Sequence, residues 1–333
     1  MAISPPSDGI CTSGAQPAVP ATWTTRAQIY DYRQAANPIR PGLTEPIPLQ
    51  SWSSPVLELS PSSIQPLDLS GALGCEGPAT SPALAAHFVV VQPGEPLHPH
   101  AVATSSLFYV LRGAGELSFP SQPEQPLQPM GWAKGDAFVL PHGFAPQLTA
   151  REPSLLYWVH DGPLLRYLGV SPVASRFSPC FFSGDRLDAE LRRLMADPTA
   201  ARSNRLSVLL AHEAMASTRT VSHTLWAMLG VVPGGAIQAP HRHQSVAIDL
   251  IVEAAPGCHT LVGTELDGTG RIHKPKRIDW ESGGVFITPP GYWHSHVNPS
   301  DQASQLLPIQ DAGLHTYLRS LDIRFAGGLS GQD

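Results

Sequence analysis

The chain carries the same series of turn and strand signals twice, and that repetition limits its architecture more than any other feature. In the first half Pro93-Gly94 precedes His98-Pro99-His100, then Gly135-Asp136, then FVLPHG at 138–143. In the second half Pro233-Gly234 precedes His241-Arg242-His243, then Gly283-Gly284, then FITPPG at 286–291. One Pro-Gly turn would match by chance, but four features in one order and at nearly constant separation indicate a duplicated unit. Each copy is built from short runs rich in β-branched and aromatic residues and punctuated by Gly and Pro, such as SSLFYVLRGAGELSF in the first and VAIDLIVEA in the second. The expectation is an all-β protein made of two β-barrels.

The 35 prolines and 29 glycines, with only 14% charged residues, suit many short strands and turns. One segment breaks the pattern: in 183–215, Leu187, Leu191 and Leu194 are spaced as a helix face that Pro198 ends. This places a first barrel at 81–178, a helical connector at 179–218 and a second barrel at 219–333. Residues 1–80 read as an N-terminal arm and wrapping segment, loose over 1–22. Within it TTRAQIYDYRQAAN forms a short helix, stopped by a Pro-rich stretch.

Lys plus Arg number 21 against 27 Asp plus Glu, a net charge of -6 with no long basic run, which excludes an electrostatic nucleic-acid binder. Cys11, Cys75, Cys180 and Cys258 show no CxxC spacing, so neither a disulfide framework nor a thiolate zinc site is expected. No stretch approaches the roughly 20 apolar residues that cross a bilayer, and the N-terminus lacks a basic start with an apolar core. The reading is a cytoplasmic protein with no membrane partner.

An HxH pair on a strand points both rings to one face, because side chains alternate with period two. Two imidazoles inside a barrel need a compensating partner. The downstream TPPGYWHSH supplies His294 just after a turn, so His241, His243 and His294 are the candidate metal ligands. Three histidines leave coordination positions open for water, substrate or dioxygen. Three imidazoles accept Fe(II), Mn, Ni, Cu or Zn, so the set alone does not choose the metal. His296 shares the face of His294 and is placed in the pocket wall, where it orients substrate or dioxygen or handles a proton. Trp293, Tyr292 and Trp226 are candidate pocket walls for a planar substrate, and Arg242 points away from its two neighbours. In the first half Pro146 occupies the third-ligand position, so His98 and His100, even with His142 nearby, leave that barrel metal-poor and structural.

The PG…HxH turn and strand followed by G(D)…PxG…H resembles the two-part signature of the cupins, and the duplication makes the chain similar to a bicupin. PGGAIQAPHRHQSVAIDLIVEAAPGCHTLVG with GGVFITPPGYWHSHVN resembles the iron-binding cupin of gentisate 1,2-dioxygenase and its relatives acting on hydroxylated aromatic acids. Those enzymes lack the glutamate that follows HxH in many cupins, and here that position is Ala247. The first half, through HPHAVATSSLFYVLRGAGEL and LLYWVHDGPLLRYLGV, is similar to the other cupin of the same family. The resemblance covers about residues 87 to 320.

It implies a non-haem iron dioxygenase that binds a hydroxy-acid aromatic and dioxygen and opens the ring, assembled as a dimer or tetramer. It also exposes two departures. The family arginine after HRH is replaced by Asp249, a pocket position, so an anionic substrate requires another cation, for which Arg319 and Arg324 are available. After the last ligand, LLPIQDAGLHTYL offers Asp311, which joins His296 as a candidate catalytic group. The second reading is a non-catalytic bicupin that holds a metal or small ligand in a diverged pocket.

Overall fold

The computed structural model describes residues 20–37, 39, 42–119, 129–200 and 203–328. The chain divides into a short unit, Met1–Glu45, and a main unit, Pro46–Asp333. In the short unit the expected helix is two pieces, α1 (Ala21–Arg26) and α2 (Tyr32–Ala35), with no buried residue in either. The loose arm expected over 1–22 falls mostly on 1–19, outside the described residues.

The main unit is built from strands. Before the first barrel come β1 (Ser51–Trp52), β2 (Ser63–Pro66) and the short helix α3 (Ser70–Leu73). The first barrel follows with β3 (Ala85–Val91), β4 (Ser105–Arg112), β5 (Ala114–Ser118), β6 (Met130–Ala133), β7 (Ala137–Pro141), β8 (Gln147–Ala150) and β9 (Ser154–His160), then α4 (Gly162–Leu168). Between the barrels lie β10 (Cys180–Phe182), α5 (Gly184–Met195) and β11 (Leu206–Leu210). The second barrel contains β12 (Trp226–Val232), β13 (His241–Arg242), β14 (Ala247–Glu253), β15 (His259–Gly263), β16 (Lys276–Asp279), β17 (Val285–Thr288), β18 (Trp293–Val297) and β19 (Ser304–Gln310). It closes with α6 (Ala312–Tyr317) and β20 (Arg324–Phe325).

Two six-stranded sheets have one order: β10-β7-β4-β9-β3-β2 in the first barrel and β1-β17-β14-β19-β12-β11 in the second. A three-stranded sheet, β6-β5-β8, faces the first, and a five-stranded sheet, β16-β15-β18-β13-β20, faces the second. The connector is therefore more than a helix, since β10 extends the first large sheet and β11 the second. Residues 51–66 do the same, β1 pairing with β17 and β2 with β3.

The two large sheets share one apolar core. Leu107 and Tyr109 of β4 belong to it together with Ile248 and Leu250 of β14. Both faces of these strands are covered, which is why they read as continuous apolar runs instead of alternating ones. The opposite face of each large sheet lines its own barrel, with Phe108, Phe138 and Trp158 in the first. The repeat extends to backbone detail: Gly135 N donates to Val110 O at 2.8 Å and Gly283 N to Ile251 O at 2.7 Å. β4 and β14 also break register against β9 and β19 at matching places, Val110/Arg112 and Ile251/Glu253.

Candidate metal centre in the second barrel

β13 is only two residues long, yet it sets His241 opposite His294 of β18 in an antiparallel ladder. Their ring centroids are 3.9 Å apart. His243 follows on the same side, 5.0 Å from the His294 ring. Arg242, alternating outward, lies over the Trp293 ring at 5.0 Å. One nitrogen from each of His241, His243 and His294 falls within 4.8 Å of the others, and among the described residues this is the one cluster of metal-ligating side chains. All three residues are buried.

The tautomers favour a cation. His243 Nδ1 donates to the Ser245 carbonyl at 2.8 Å, which leaves its Nε2 as a lone pair. His294 Nδ1 donates to the Tyr292 carbonyl at 3.1 Å and leaves Nε2 in the same state. His243 Nε2 and His241 Nδ1 are buried without any hydrogen-bond partner. The unmet lone pair of His243 costs about 1–3 kcal/mol, so a bound cation would relieve a standing penalty there. Burial also holds every ring neutral, as a ligand must be: His241 and His294 lie well below the ordinary histidine value and His243 is pushed down to about 4. The donor set therefore fits a metal such as Fe(II) or another divalent ion of that series.

The other expected residues divide between the barrel interior and its outside. His296 is inside, 5.8 Å from the His294 ring. Its Nδ1 pairs with the Thr260 hydroxyl at 2.9 Å, and that oxygen accepts from Trp280 Nε1 at 2.8 Å. Trp226 sits on the inward face of β12, opposite Gln310, whose Oε1 accepts from the Ser245 hydroxyl behind His243. Asp249 is inward and buried, and accepts from the Thr288 hydroxyl at 2.9 Å. Burial pushes its carboxyl up to about 7, against the opposing pull of Thr288 and Arg205.

Trp293, expected as a pocket wall, must face away from its neighbour His294 on the strand. Tyr292 lines a recess with Ile47, Lys276 and Val262, the residue paired opposite His294. Asp311 is not beside the triad: its Oδ1 accepts from the Val246 amide at 2.9 Å, with His315 4.0 Å away. It anchors the start of β14, as Asp161 anchors Thr104 and Ser105 ahead of and within β4. Arg324 pairs with Asp322 and Arg319 lies over Tyr317.

The cation inside the barrel is Arg205, which sequence reasoning missed. Its guanidinium donates to His241 Nε2 and lies 3.9 Å from Met228 Sδ. Burial lowers its pKa to about 10, which still leaves it charged at neutral pH. Nothing local in SNRLSVLL marks it; only the pairing of β11 with β12 brings it inward. Phe325 was missed as well. It pairs with His241 across β20 and β13 and stacks on that imidazole at 5.6 Å and 21°.

No protein-family model matches the sequence. A gentisate 1,2-dioxygenase from Aquipseudomonas alcaligenes is 29% identical over 104 residues, 31% of this chain and 26% of that enzyme's length. A salicylate 1,2-dioxygenase from Pseudaminobacter salicylatoxidans superposes with a TM-score of 0.68 at 14% identity, over 92% of this chain and 96% of that one. Its adduct with gentisate gives 0.67 at 13%, over 94% and 96%. The chain has the bicupin fold. An oxalate decarboxylase from Bacillus subtilis is a more distant likeness, with a TM-score of 0.51 at 14% identity over 75% of this chain and 73% of that one.

The two bicupin halves can now be matched by hydrogen-bonded pairs instead of motifs. Leu97 faces Leu148 in the first barrel, and Gln238 N donates to His296 O in the second. Ser105 and Val246 each donate an amide proton to the aspartate that follows the last barrel strand. Equal lengths of chain separate these anchors, so His100, not His98, corresponds to His241, and Val102 to His243. This shifts the motif alignment of HPH with HRH by two residues. Phe108 stands opposite Phe138 and Trp158 as Asp249 stands opposite Phe286 and Pro308. Asp249 thus corresponds to a phenylalanine in the other barrel.

Proposed function

We propose that the second barrel is a metal-dependent dioxygenase site that opens the ring of a hydroxylated aromatic acid, with Fe(II) held by His241, His243 and His294. The observation that carries this reading is the convergence of three buried, neutral imidazoles, with the His243 Nε2 lone pair lacking any protein partner. Iron bound there would supply the electron relay between the aromatic substrate and dioxygen.

The remaining roles fall to the chain's own groups. Arg205 is the cation for the substrate carboxylate, supplied from the residue just before β11 in place of the β14 position that Asp249 occupies. His296 holds a proton: with the Thr260 hydroxyl donating to Nδ1, Nε2 carries the hydrogen and faces substrate as a donor. The buried triad and the Phe325 ring exclude bulk water. Asp311 is left as a strand anchor.

Asp249 favours a second reading, a bicupin that holds metal and ligand without turnover, since it adds negative charge where an anion would dock. The two separate on one measurement. Protein loaded anaerobically with Fe(II) is expected to consume dioxygen with gentisate, salicylate or 1-hydroxy-2-naphthoate. Iron retained without uptake for any of the three selects the non-catalytic reading. Elemental analysis of His241→Ala and His294→Ala tests the ligand set, and unchanged metal in either would refute it.

A further inference from the structure

The five-stranded sheet of the second barrel carries one row of residues across all its strands. Phe325, His241, His294, Val262 and Lys276 stand opposite one another in that order, through the registers of β20 with β13, β13 with β18, β18 with β15 and β15 with β16. Paired residues share a face, so Lys276 lies on the face that carries the candidate metal ligands. Ile278, the next residue on that face of β16, packs against the Val232, Ile251 and Phe286 cluster inside the barrel. Neighbouring strands are about 4.8 Å apart, which sets the Lys276 backbone about 10 Å from that of His294.

At this end of the row Lys276 lines a recess of about 510 Å³. The chain has only three lysines, and two of them, Lys274 and Lys276, line this one recess. Glu265 lines it as well, yet among the described residues neither lysine is in an ion pair, whereas Arg277 on the outer face pairs with Asp279 at 2.7 Å. The other wall is apolar and aromatic, built from Ile47, Leu49, Val262 and Tyr292. Two cations facing an apolar wall match an organic anion with a flat ring better than a strongly hydrated ion such as phosphate.

We propose that this recess receives the second carboxylate of a hydroxylated aromatic diacid, with Lys276 and Lys274 as its cations and Tyr292 and Ile47 against the ring. The proposal rests on the ring-opening reading of the second barrel and names the class of its substrate. Arg205, beside His241, and Lys276, beyond Val262, then take opposite ends of one molecule. The flexible four-carbon stem of lysine covers the distance that the ring leaves.

Anaerobic calorimetric titration of the Fe(II)-loaded full chain with salicylate and with 2-hydroxyterephthalate, which is salicylate with a second carboxylate across the ring, tests it. A solvent-exposed charge pair is worth about fivefold or less, so the two lysines together should make the diacid bind about tenfold tighter than salicylate. Lys274→Gln combined with Lys276→Gln should bring the diacid down to the affinity of salicylate, whereas Lys276→Arg should keep the gain. Rising salt should erode it. Salicylate binding with no gain for the diacid, a gain that survives the double glutamine variant, or inorganic phosphate displacing the diacid at equal concentration would each overturn the proposal and leave the ring-opening reading intact. Binding of neither acid, or salicylate affinity unaltered in His294→Ala, would strike that reading, and this proposal with it.

Discussion

Arg205 donates its guanidinium N–H to the Nε2 of His241, so one side chain satisfies a candidate metal ligand and is also the buried cation beside the site. A metal taking that nitrogen and the arginine holding it exclude one another. Replacing Arg205 should therefore move two affinities in opposite directions. Arg205→Gln is expected to bind Fe(II) more tightly, since a like charge is gone. It should bind salicylate about ten- to a hundredfold more weakly, as lost charge-assisted hydrogen bonds cost about 1.5–3 kcal/mol. Anaerobic competition with a chelator and direct salicylate titration measure the two, and a shift of both in one direction would contradict the arrangement.

Asp249 makes anion binding depend on pH. Its carboxyl titrates near 7, so below that it is neutral and above it adds a negative charge inside the barrel. Salicylate affinity should fall about tenfold as pH rises through 7, and Asp249→Asn should flatten the profile. Stability follows the same sign. The folded state holds the proton more tightly than the unfolded chain, whose ordinary value is 3.8, so wild-type stability declines from about pH 4 to about pH 7 relative to Asp249→Asn. Thermal melts across that range check it, and a wild-type curve that rises would be the wrong sign.

Thr260→Val separates ligand from proton holder. The valine keeps shape but removes the hydroxyl that fixes the His296 tautomer. Metal content should be unchanged while turnover falls about a hundredfold or more, the usual scale for a lost general acid or base. Loss of metal in this variant would place His296 among the ligands.

Phe325 is predicted to control access. With its ring removed in Phe325→Ala, a chelator should strip metal from the loaded protein faster, with equilibrium affinity little changed. Equal stripping rates would show that metal leaves by another side of the barrel.

Gly113 and Gly94 give a paired test of the backbone. Gly113 follows the register break in β4 with φ +87, and a Cβ there would lie 2.8 Å from Ser154 Cα. Gly94 has a similar φ of +81 but open space around it. Gly94→Ala should cost about 1–2 kcal/mol and Gly113→Ala clearly more, read from denaturant melts.

The duplicated barrels and the histidine triad were legible in sequence because both rest on local signals: turn residues, strand runs and a fixed HxH spacing. Trp293 was legible too, since a residue adjacent to an inward histidine on a strand faces outward, and grouping it with the pocket overlooked that alternation. The correspondence of His98 with His241 failed because a shared motif outweighed the count of residues between anchors, which only the hydrogen-bonded pairs fix. Arg205 and Phe325 could not be read locally at all. Each is placed by pairing between segments distant in sequence. The edge strands β1 and β10, two and three residues long, are too short for any periodic signal.

Those short edges also determine how far the duplication can be undone. The outer margin of the half that holds the histidine triad is completed by Ser51–Trp52, which precede the entire first half, while the segment that directly follows the first half supplies β10 to close its own margin. A fragment holding only the later copy would present β17 as an unpaired edge, a template for self-association. Two barrels that repeat in sequence are therefore not autonomous in chain, since each is completed at its margin by a segment from outside its own repeat.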